Sequence, residues 1–228
     1  MSAGLADLNR EVIACRRCPR LVAWREEVAR VKRAAYAGEE YWGRPLPGFG
    51  DPRARLLILG LAPAAHGGNR TGRIFTGDRS GDWLFAALWR TGYANQPESV
   101  SREDGLALRD CYVTASVRCA PPANRPLTSE RDNCLPYLER ELTLLAGVQV
   151  IMCLGGFAWD AALRTALALG ETIPRPRPRF AHGRTAALGP WTMLGCYHPS
   201  QQNTFTGRLT EGMLDEALFT ARKLVRSE

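Results

Sequence analysis

Two pairs of cysteines are the residues in this sequence whose type and spacing most directly suggest chemistry. Cys15 and Cys18 stand in C-R-R-C-P, and Cys119 and Cys134 lie much further along the chain with fourteen residues between them. A short C-x-x-C pair combined with a second pair is typical of four-thiolate sites that hold zinc or an iron–sulfur cluster. The four cysteines therefore predict one metal site that ties the amino-terminal region to the middle of the chain. The residues themselves leave zinc and iron–sulfur open.

The other three cysteines and the arginines near the two pairs are consistent with a metal site formed by the paired cysteines alone. Three cysteines lie in or beside apolar runs, so we expect them to be core residues: Cys111, Cys153 and Cys196. Arg16, Arg17 and Arg118 flank the paired cysteines, and their charges could offset the negative charge of a thiolate site.

Three residues of loop-like segments could act on a bound substrate. His198, in H-P-S, can donate a hydrogen bond to a developing anion, although a lone buried histidine is also often structural. Asp78, in G-R-I-F-T-G-D, could orient a water or stabilise a cation, or it could form an Asx-turn before Ser80. Phe75 in the same run could stack on a base or fill the core beneath the loop.

The charge balance favours an anionic partner. The 228 residues include 30 basic and 23 acidic side chains, which gives a formal net charge of +7, and only Lys32 and Lys223 are lysines. Arginine suits phosphate oxygens, but a GC-rich genome also favours arginine. The segment 173–180, I-P-R-P-R-P-R-F, is either an extended strip for a polyanion or a solvated connector.

Buried strands alternating with helices must position these residues. Apolar runs with little alternation predict four strands, at residues 55–61, 112–117, 148–154 and 191–197. Helical patterns occupy residues 80–90, with Ser80 as N-cap, and residues 129–145, 157–169 and 209–225. This order predicts an α/β fold: a three-layer α/β/α sandwich with a mainly parallel four-stranded central sheet, and one domain over residues 1–228. The loops at the carboxyl ends of the strands should then converge on one site.

Several classes of protein are disfavoured. No apolar run approaches the length of a bilayer span, and the first residues have no apolar signal-like core, which predicts a cytoplasmic protein. Neither G-x-x-x-x-G-K-[ST] nor G-x-G-x-x-G is present, so a nucleotide triphosphatase or a dinucleotide enzyme is not expected.

Taken together, the motifs resemble a known family. The runs C-R-R-C-P, G-L-A-P-A with G-R-I-F-T-G-D, V-R-C-A-P-P-A-N-R-P and H-P-S-Q-Q-N resemble those of the iron–sulfur uracil-DNA glycosylases, most closely family 5, the UDGb type. The resemblance covers most of the chain, from about Cys15 to Arg208. It implies a DNA repair enzyme that flips a damaged base out of DNA and hydrolyses its N-glycosidic bond, leaving an abasic site.

The resemblance also implies roles for individual residues. A structural [4Fe–4S] cluster would be held by Cys15, Cys18, Cys119 and Cys134. The flipped base would be bound by Ala62, Phe75, Asn124 and His198. Asp78, Asn124 and His198 would be catalytic. The run from Ser200 to Thr206 would form the loop that enters the minor groove, with Ser200, Gln201, Gln202 and Asn203 at the DNA.

Two departures from the related family 4 pattern concern substrate range. Leu61 stands where family 4 has a glutamate, and Ala115 stands where it has an asparagine that reads uracil. The resemblance to family 5 therefore implies a looser pocket. Hypoxanthine, ethenocytosine and hydroxymethyluracil become plausible substrates beside uracil.

Two other functions compete with this interpretation. A non-catalytic, zinc-containing nucleic-acid-binding protein would explain the charge and the cysteines, but not the conjunction of G-R-I-F-T-G-D and H-P-S. An electron-transfer protein would leave the same loops without a task. For the glycosylase we expect single- or double-stranded DNA as partner, no membrane, a monomer, and a prokaryotic cytoplasmic location at the nucleoid.

Overall fold

The centre of the protein is one twisted sheet of six strands. The computed structural model describes residues 3–225, and its strands are β1 (Phe49–Gly50), β2 (Leu56–Gly60), β3 (Cys111–Ala115), β4 (Val150–Leu154), β5 (Thr185–Leu188) and β6 (Trp191–Cys196). Their order across the sheet is β1-β3-β2-β4-β6-β5. The four inner strands are parallel, and β1 and β5 pair antiparallel at the two edges.

The four strands predicted from the apolar runs are confirmed as β2, β3, β4 and β6. The predicted number of strands is wrong, because the sheet has six. Strand β1 has only two residues, and β5 carries mostly exposed or half-buried side chains. Neither strand is covered on both faces, so neither leaves the continuous apolar run by which a buried parallel strand is recognised.

Eight α-helices accompany the sheet in residues 3–225: α1 (Ala3–Ile13), α2 (Pro19–Val31), α3 (Gly68–Thr71), α4 (Arg79–Arg90), α5 (Thr128–Leu144), α6 (Gly156–Ala168), α7 (Gln201–Phe205) and α8 (Glu211–Leu224). Helices α4 and α8 cover one face of the sheet, and α1, α5 and α6 cover the other. The predicted three-layer α/β/α sandwich is therefore confirmed.

Strand β2 shows how the sequence builds the two cores. Successive side chains of a strand point to opposite faces of the sheet. Leu56 and Ile58 accordingly join the apolar cluster under α4 and α8, whereas Leu57 and Leu59 join the cluster under α1, α5 and α6. All four side chains are completely buried. Burial on both faces fixes β2 at the centre, so the loop that follows it opens at the middle of the carboxyl edge of the sheet.

No helix within residues 3–225 is long and apolar enough to cross a bilayer.

Candidate active site

A cavity of about 620 Å³ opens at the carboxyl edge of the parallel strands. Its walls come from the loops after β2, β3, β4 and β6, as the strand-end argument predicts. Eight of the nine side chains expected at the base or at the DNA line it: Ala62, Phe75, Asp78, Asn124, His198, Ser200, Gln201 and Gln202. The ninth, Asn203, does not.

His198 follows β6 after a single residue, Tyr197, and has an unsatisfied ring nitrogen. Its Nδ1 is buried and has no hydrogen-bond partner in the described part of the chain, while the residue as a whole is half-buried at the cavity. Burial lowers the pKa of His198 to about 4, so the ring is neutral near pH 7. A neutral imidazole donates at one nitrogen and accepts at the other. The cavity thus contains one preorganised, uncharged group that lacks a partner.

Phe75 and His198 form adjoining walls of the cavity. Their ring centroids are 5.7 Å apart and their planes are inclined by 35°. The two rings touch each other, so a planar ligand would lie against them and not between them. Gly60 makes room for Phe75, because a Cβ at position 60 would stand 2.7 Å from Phe75 Cε2. Phe75 itself has a φ of 52°, a backbone conformation that a bulky residue rarely adopts.

Asp78 caps a helix and also lines the cavity. Its Oδ1 accepts a hydrogen bond from the backbone N–H of Gly81 at 3.0 Å, so Asp78 is the N-cap of α4 and the predicted N-cap, Ser80, is wrong. Burial raises the pKa of Asp78, while the backbone bonds from Gly81 and Ser80 oppose that rise. Its Oδ2 faces Gly67, where a Cβ would collide with it. Asp78 thus holds the start of α4 while it also lines the cavity.

Asn124 stands at the mouth of the cavity. It ends the short 3-10 turn Pro122–Asn124 after β3, its side chain is exposed, and its φ of 55° is left-handed. The preceding Ala123 is also left-handed, with φ at 52°. Asparagine tolerates this conformation better than most residues do, so the turn explains the residue type at least as well as chemistry does.

The expected DNA loop after His198 is a short helix in this structure. Ser200 is the N-cap of α7, and Gln201 and Gln202 are exposed in its first turn at the cavity mouth. Asn203 points back, and its Nδ2 donates to the backbone oxygen of His198 at 2.8 Å. Asn203 therefore ties the helix to the histidine, whereas the two glutamines are free to contact a ligand.

Sequence reasoning missed other side chains of the cavity. Phe157 lines it from the first turn of α6, and Arg79 and Arg125 stand at its rim. The G-G-F run directly after β4 was the available signal, because a strand-end glycine pair brings the next side chain to the carboxyl edge. Leu61 lines the cavity, and Ala115 is buried at the end of β3, paired with Gly60.

The four paired cysteines surround a second, smaller cavity. Cys15 follows α1, Cys18 precedes Pro19 at the start of α2, Cys119 follows β3, and Cys134 lies in α5. The structure thus brings the two pairs to the walls of one small cavity, and the other three cysteines are buried core residues, as expected. Across residues 3–225, no three His, Cys, Asp or Glu side chains meet closely enough to hold a single metal ion. The thiols line a space and do not converge on a point.

Arg25 is the cation closest to this site. Its Nη1 donates to Cys119 Sγ at 2.9 Å and its Nη2 donates to the Cys15 carbonyl at 3.1 Å, but its buried Nε has no partner among the described residues. Burial raises the pKa of Cys119 to about 11, and the positive charge of Arg25 opposes that rise.

The arginines that the sequence placed beside the cysteines are mostly engaged elsewhere. Arg118 is paired with the buried Glu141, and Arg16 with Glu26. Arg17 lies over the Tyr137 ring, 4.9 Å from its centroid, at the edge of the small cavity. Arg25 is the cation that contacts a thiol directly, so a buried positive charge is available to offset a negative group in this space.

A single layer of side chains separates the two cavities. Ala62 and Phe157 both line the large cavity, and both also pack against the apolar cluster that contains Cys18, Cys119 and Cys134. The thiol site therefore supports the wall on which a ligand of the large cavity would rest.

Comparison with known proteins identifies the family. Residues 47–222 match the family model of the uracil DNA glycosylase superfamily. The chain is 56% identical over 229 residues to a type-5 uracil-DNA glycosylase of Mycobacterium tuberculosis, covering 100% of this chain and 84% of that protein. It is 50% identical over 212 residues to a type-5 uracil-DNA glycosylase of Thermus thermophilus, covering 92% and 94%. A type-4 uracil-DNA glycosylase of Archaeoglobus fulgidus is 29% identical over 201 residues, covering 86% and 81%. With the fold, the cavity and these similarities in agreement, the chain belongs to the uracil DNA glycosylase superfamily.

Proposed function

We propose that this protein removes uracil from DNA by hydrolysing the N-glycosidic bond, in the manner of the type-5 relatives that it resembles. The observation that carries the proposal is a neutral, half-buried His198 beside Phe75 in a cavity at the carboxyl edge of the sheet. The base must first rotate out of the duplex, which costs a few kcal/mol and costs least for a mispaired base.

The groups in the cavity suit the charges that develop during the reaction. When the bond between the base and C1′ breaks, its electron pair leaves with the base, and positive charge develops on the sugar. His198 would donate a hydrogen bond to the developing anion, and a neutral donor does so without itself losing a proton. Phe75 would support the face of the base. A water then bonds to C1′ and loses a proton, which the departing base anion finally takes up, so that the products are a neutral base and an abasic site.

Asp78 is our candidate for holding that water and stabilising the sugar cation. One of its oxygens caps α4, so the carboxylate is fixed in place. Asn124, which also lines the cavity, is the alternative. Asp78→Asn keeps the cap, because asparagine and aspartate cap helices equally well, and it removes only the charge. Single-turnover rates of Asp78→Asn and Asn124→Ala would decide between the two side chains.

At the mouth, Gln201 and Gln202 are placed to fill the space that the flipped nucleotide vacates. We extend the proposal to hypoxanthine, ethenocytosine and hydroxymethyluracil. The size of the cavity supports this extension, as does Leu61 in its wall, because an apolar wall gives little discrimination between bases of similar shape.

We also propose that Cys15, Cys18, Cys119 and Cys134 hold a [4Fe–4S] cluster. These residues fit such a cluster. Their four sulfurs line a space and do not meet at one point as the ligands of a single metal ion would, and the buried Arg25 supplies a positive charge. When bound, the cluster would supply structure, by tying α1 and α2 to the loop after β3. Iron and sulfide analysis of the purified protein tests this, and a colourless protein containing zinc would contradict it.

The activity is tested by incubating the protein with oligonucleotides that carry uracil, hypoxanthine or ethenocytosine, followed by alkaline cleavage at abasic sites. We expect strand cleavage with uracil and none with a normal duplex. DNA binding without release of any base would contradict the proposal and favour the non-catalytic nucleic-acid-binding protein.

A further inference from the structure

The proline–arginine segment, residues 173–180, is anchored to the folded body of the protein. Trp159 Nε1 donates to the Pro178 carbonyl at 2.9 Å, and the Phe180 ring lies 6.1 Å from the rings of both Trp159 and Tyr197. Directly after it, the backbone of Arg184 and Gly195 is joined by a 2.8 Å hydrogen bond. The segment is thus held at several points along its length and is not a loose connector.

Its anchor points adjoin the large cavity. Tyr197 immediately precedes His198, and Gly156 lines the cavity. A Cβ at Gly156 would lie 3.9 Å from Phe180. The Phe180 end of the segment therefore adjoins the rim formed by the loop after β4 and the end of β6, and the rest of the segment extends from this rim.

The three arginines of the segment have different surroundings. Arg177 is paired with Asp160, whose other oxygen accepts from Arg131 and Arg164. Arg175 and Arg179 are exposed, and neither guanidinium has a hydrogen bond, ion pair or aromatic contact within residues 3–225. Most exposed ion pairs contribute little, but two unneutralised guanidinium groups on a fixed backbone form a positive surface that repels cations and attracts phosphates.

We propose that Arg175 and Arg179 bind backbone phosphates of the DNA strand that flanks the flipped nucleotide. This inference rests on the proposed function, and it adds a second contact surface outside the cavity. Four residues of extended chain reach at most about 14 Å, and phosphates recur about every 3.4 Å of helix axis on one strand. The two guanidinium groups can thus contact phosphates a few nucleotides apart, and the anchored backbone lowers the entropy lost on binding.

The chain offers a matched control within the same segment. Arg175→Gln with Arg179→Gln removes the two unpaired guanidinium groups, whereas Arg177→Gln removes a guanidinium that is held in an ion pair with Asp160. Binding is measured by fluorescence anisotropy with a duplex that contains a tetrahydrofuran abasic-site analogue, which has no base to release. The dissociation constant is determined from about 0.05 to about 0.3 M salt, because counterion release is read from the salt dependence.

The logarithm of the association constant falls linearly with the logarithm of the salt concentration. For the double variant we expect this negative slope to become less steep by about 2, since each phosphate contact contributes about 0.9. At 0.1 M salt this corresponds to about eightfold weaker binding for each lost contact. Arg177→Gln should retain the slope of the unaltered protein. Thermal unfolding of all three proteins checks that the substitutions leave the fold intact.

Equal slopes for all three proteins would overturn the inference, and the segment would then be a solvated connector. Equal losses in the double variant and in Arg177→Gln would overturn it as well, because a general charge effect would explain both. Uracil release by the unaltered protein is scored separately. A protein that binds DNA with the expected slopes but releases no base would contradict the proposed function and leave the phosphate contacts standing.

Discussion

The two cavities of this protein share a wall and differ in how open they are to solvent. Around the four cysteines, Arg25 donates to Cys119 and Asn133 donates to Cys18, and the surrounding side chains close over the space. The large cavity is open to solvent on one side, and the half-buried His198 lines it.

This difference indicates what each cavity is for. A small closed space lined with thiols suits an occupant that is present throughout the life of the protein. An open space lined by a neutral, half-buried imidazole suits an occupant that comes and goes. On the proposed function, the first cavity would support structure and the second would support turnover.

The difference between the two cavities is tested most directly by removing the imidazole of His198. We expect His198→Ala to slow uracil release in single-turnover experiments by about 100- to 1,000-fold, the usual cost of one preorganised donor. His66→Gln is the control. His66 lies in the loop after β2, but its Nδ1 is bonded to Tyr41 Oη at 3.1 Å, outside the cavity. An unchanged rate for His198→Ala would show that the cavity works without this group.

The closed cavity is tested by comparing two buried cysteines. We expect Cys119→Ala to lose most of the bound iron, at least tenfold relative to the unaltered protein, because one of the four ligands is removed. Cys111→Ala, at the first residue of β3 and in the core, should retain its iron and lower the free energy of unfolding by about 1 kcal/mol. Iron per chain and chemical denaturation measure the two effects. Equal iron loss in both variants would contradict the assignment of ligands.

The pH dependence of stability tests whether His198 is buried and neutral in the folded protein. Its pKa is about 4 when folded and about 6.5 when unfolded, so between these values the unfolded chain binds more protons. Stability should therefore fall as the pH is lowered, by about 1.6 kcal/mol from about pH 6.5 to about pH 5. Urea denaturation of the unaltered protein and of His198→Ala isolates this contribution. Identical pH profiles would mean that the ring is solvated.

A smaller effect is expected when the Asp78 carboxylate is displaced and not removed. Gly67→Ala places a methyl group against Asp78 Oδ2, so the carboxylate must shift. We expect uracil release to slow by about tenfold, since a small misplacement of a fixed group costs catalysis. Gly212→Ala, where a new Cβ meets no atom within 4 Å, is the matched control. Similar rates in both variants would remove Asp78 from the mechanism.

Sequence patterns were sufficient for the parts of the molecule that depend on local rules. The inner strands are covered on both faces, so their apolar runs predict them, and the carboxyl-end rule then brings Phe75, Asp78 and His198 to one cavity. The cysteine pairs could also be recognised from the sequence, because the C-x-x-C spacing keeps two thiols close together whatever the fold is.

Features that depend on tertiary context could not be predicted. Arg25 looks like an ordinary surface residue of a polar helix, and only the packing of α2 against the loop after β3 buries it beside Cys119. Asn203 lies in a polar run that resembles a DNA-facing loop, yet its side chain turns inward and donates to the His198 carbonyl. Asp78 and Ser80 are both good N-cap residues, and only the backbone geometry selects Asp78.

The shared wall links the contents of one cavity to the packing of the other. Ala62 and Phe157 line the large cavity and also pack against the apolar cluster that contains Cys18, Cys119 and Cys134. A molecule that displaces Phe157 would alter the packing around these thiols. If the proposed cluster is bound there, its visible absorption should therefore change on titration with free nucleobases, without any attached dye.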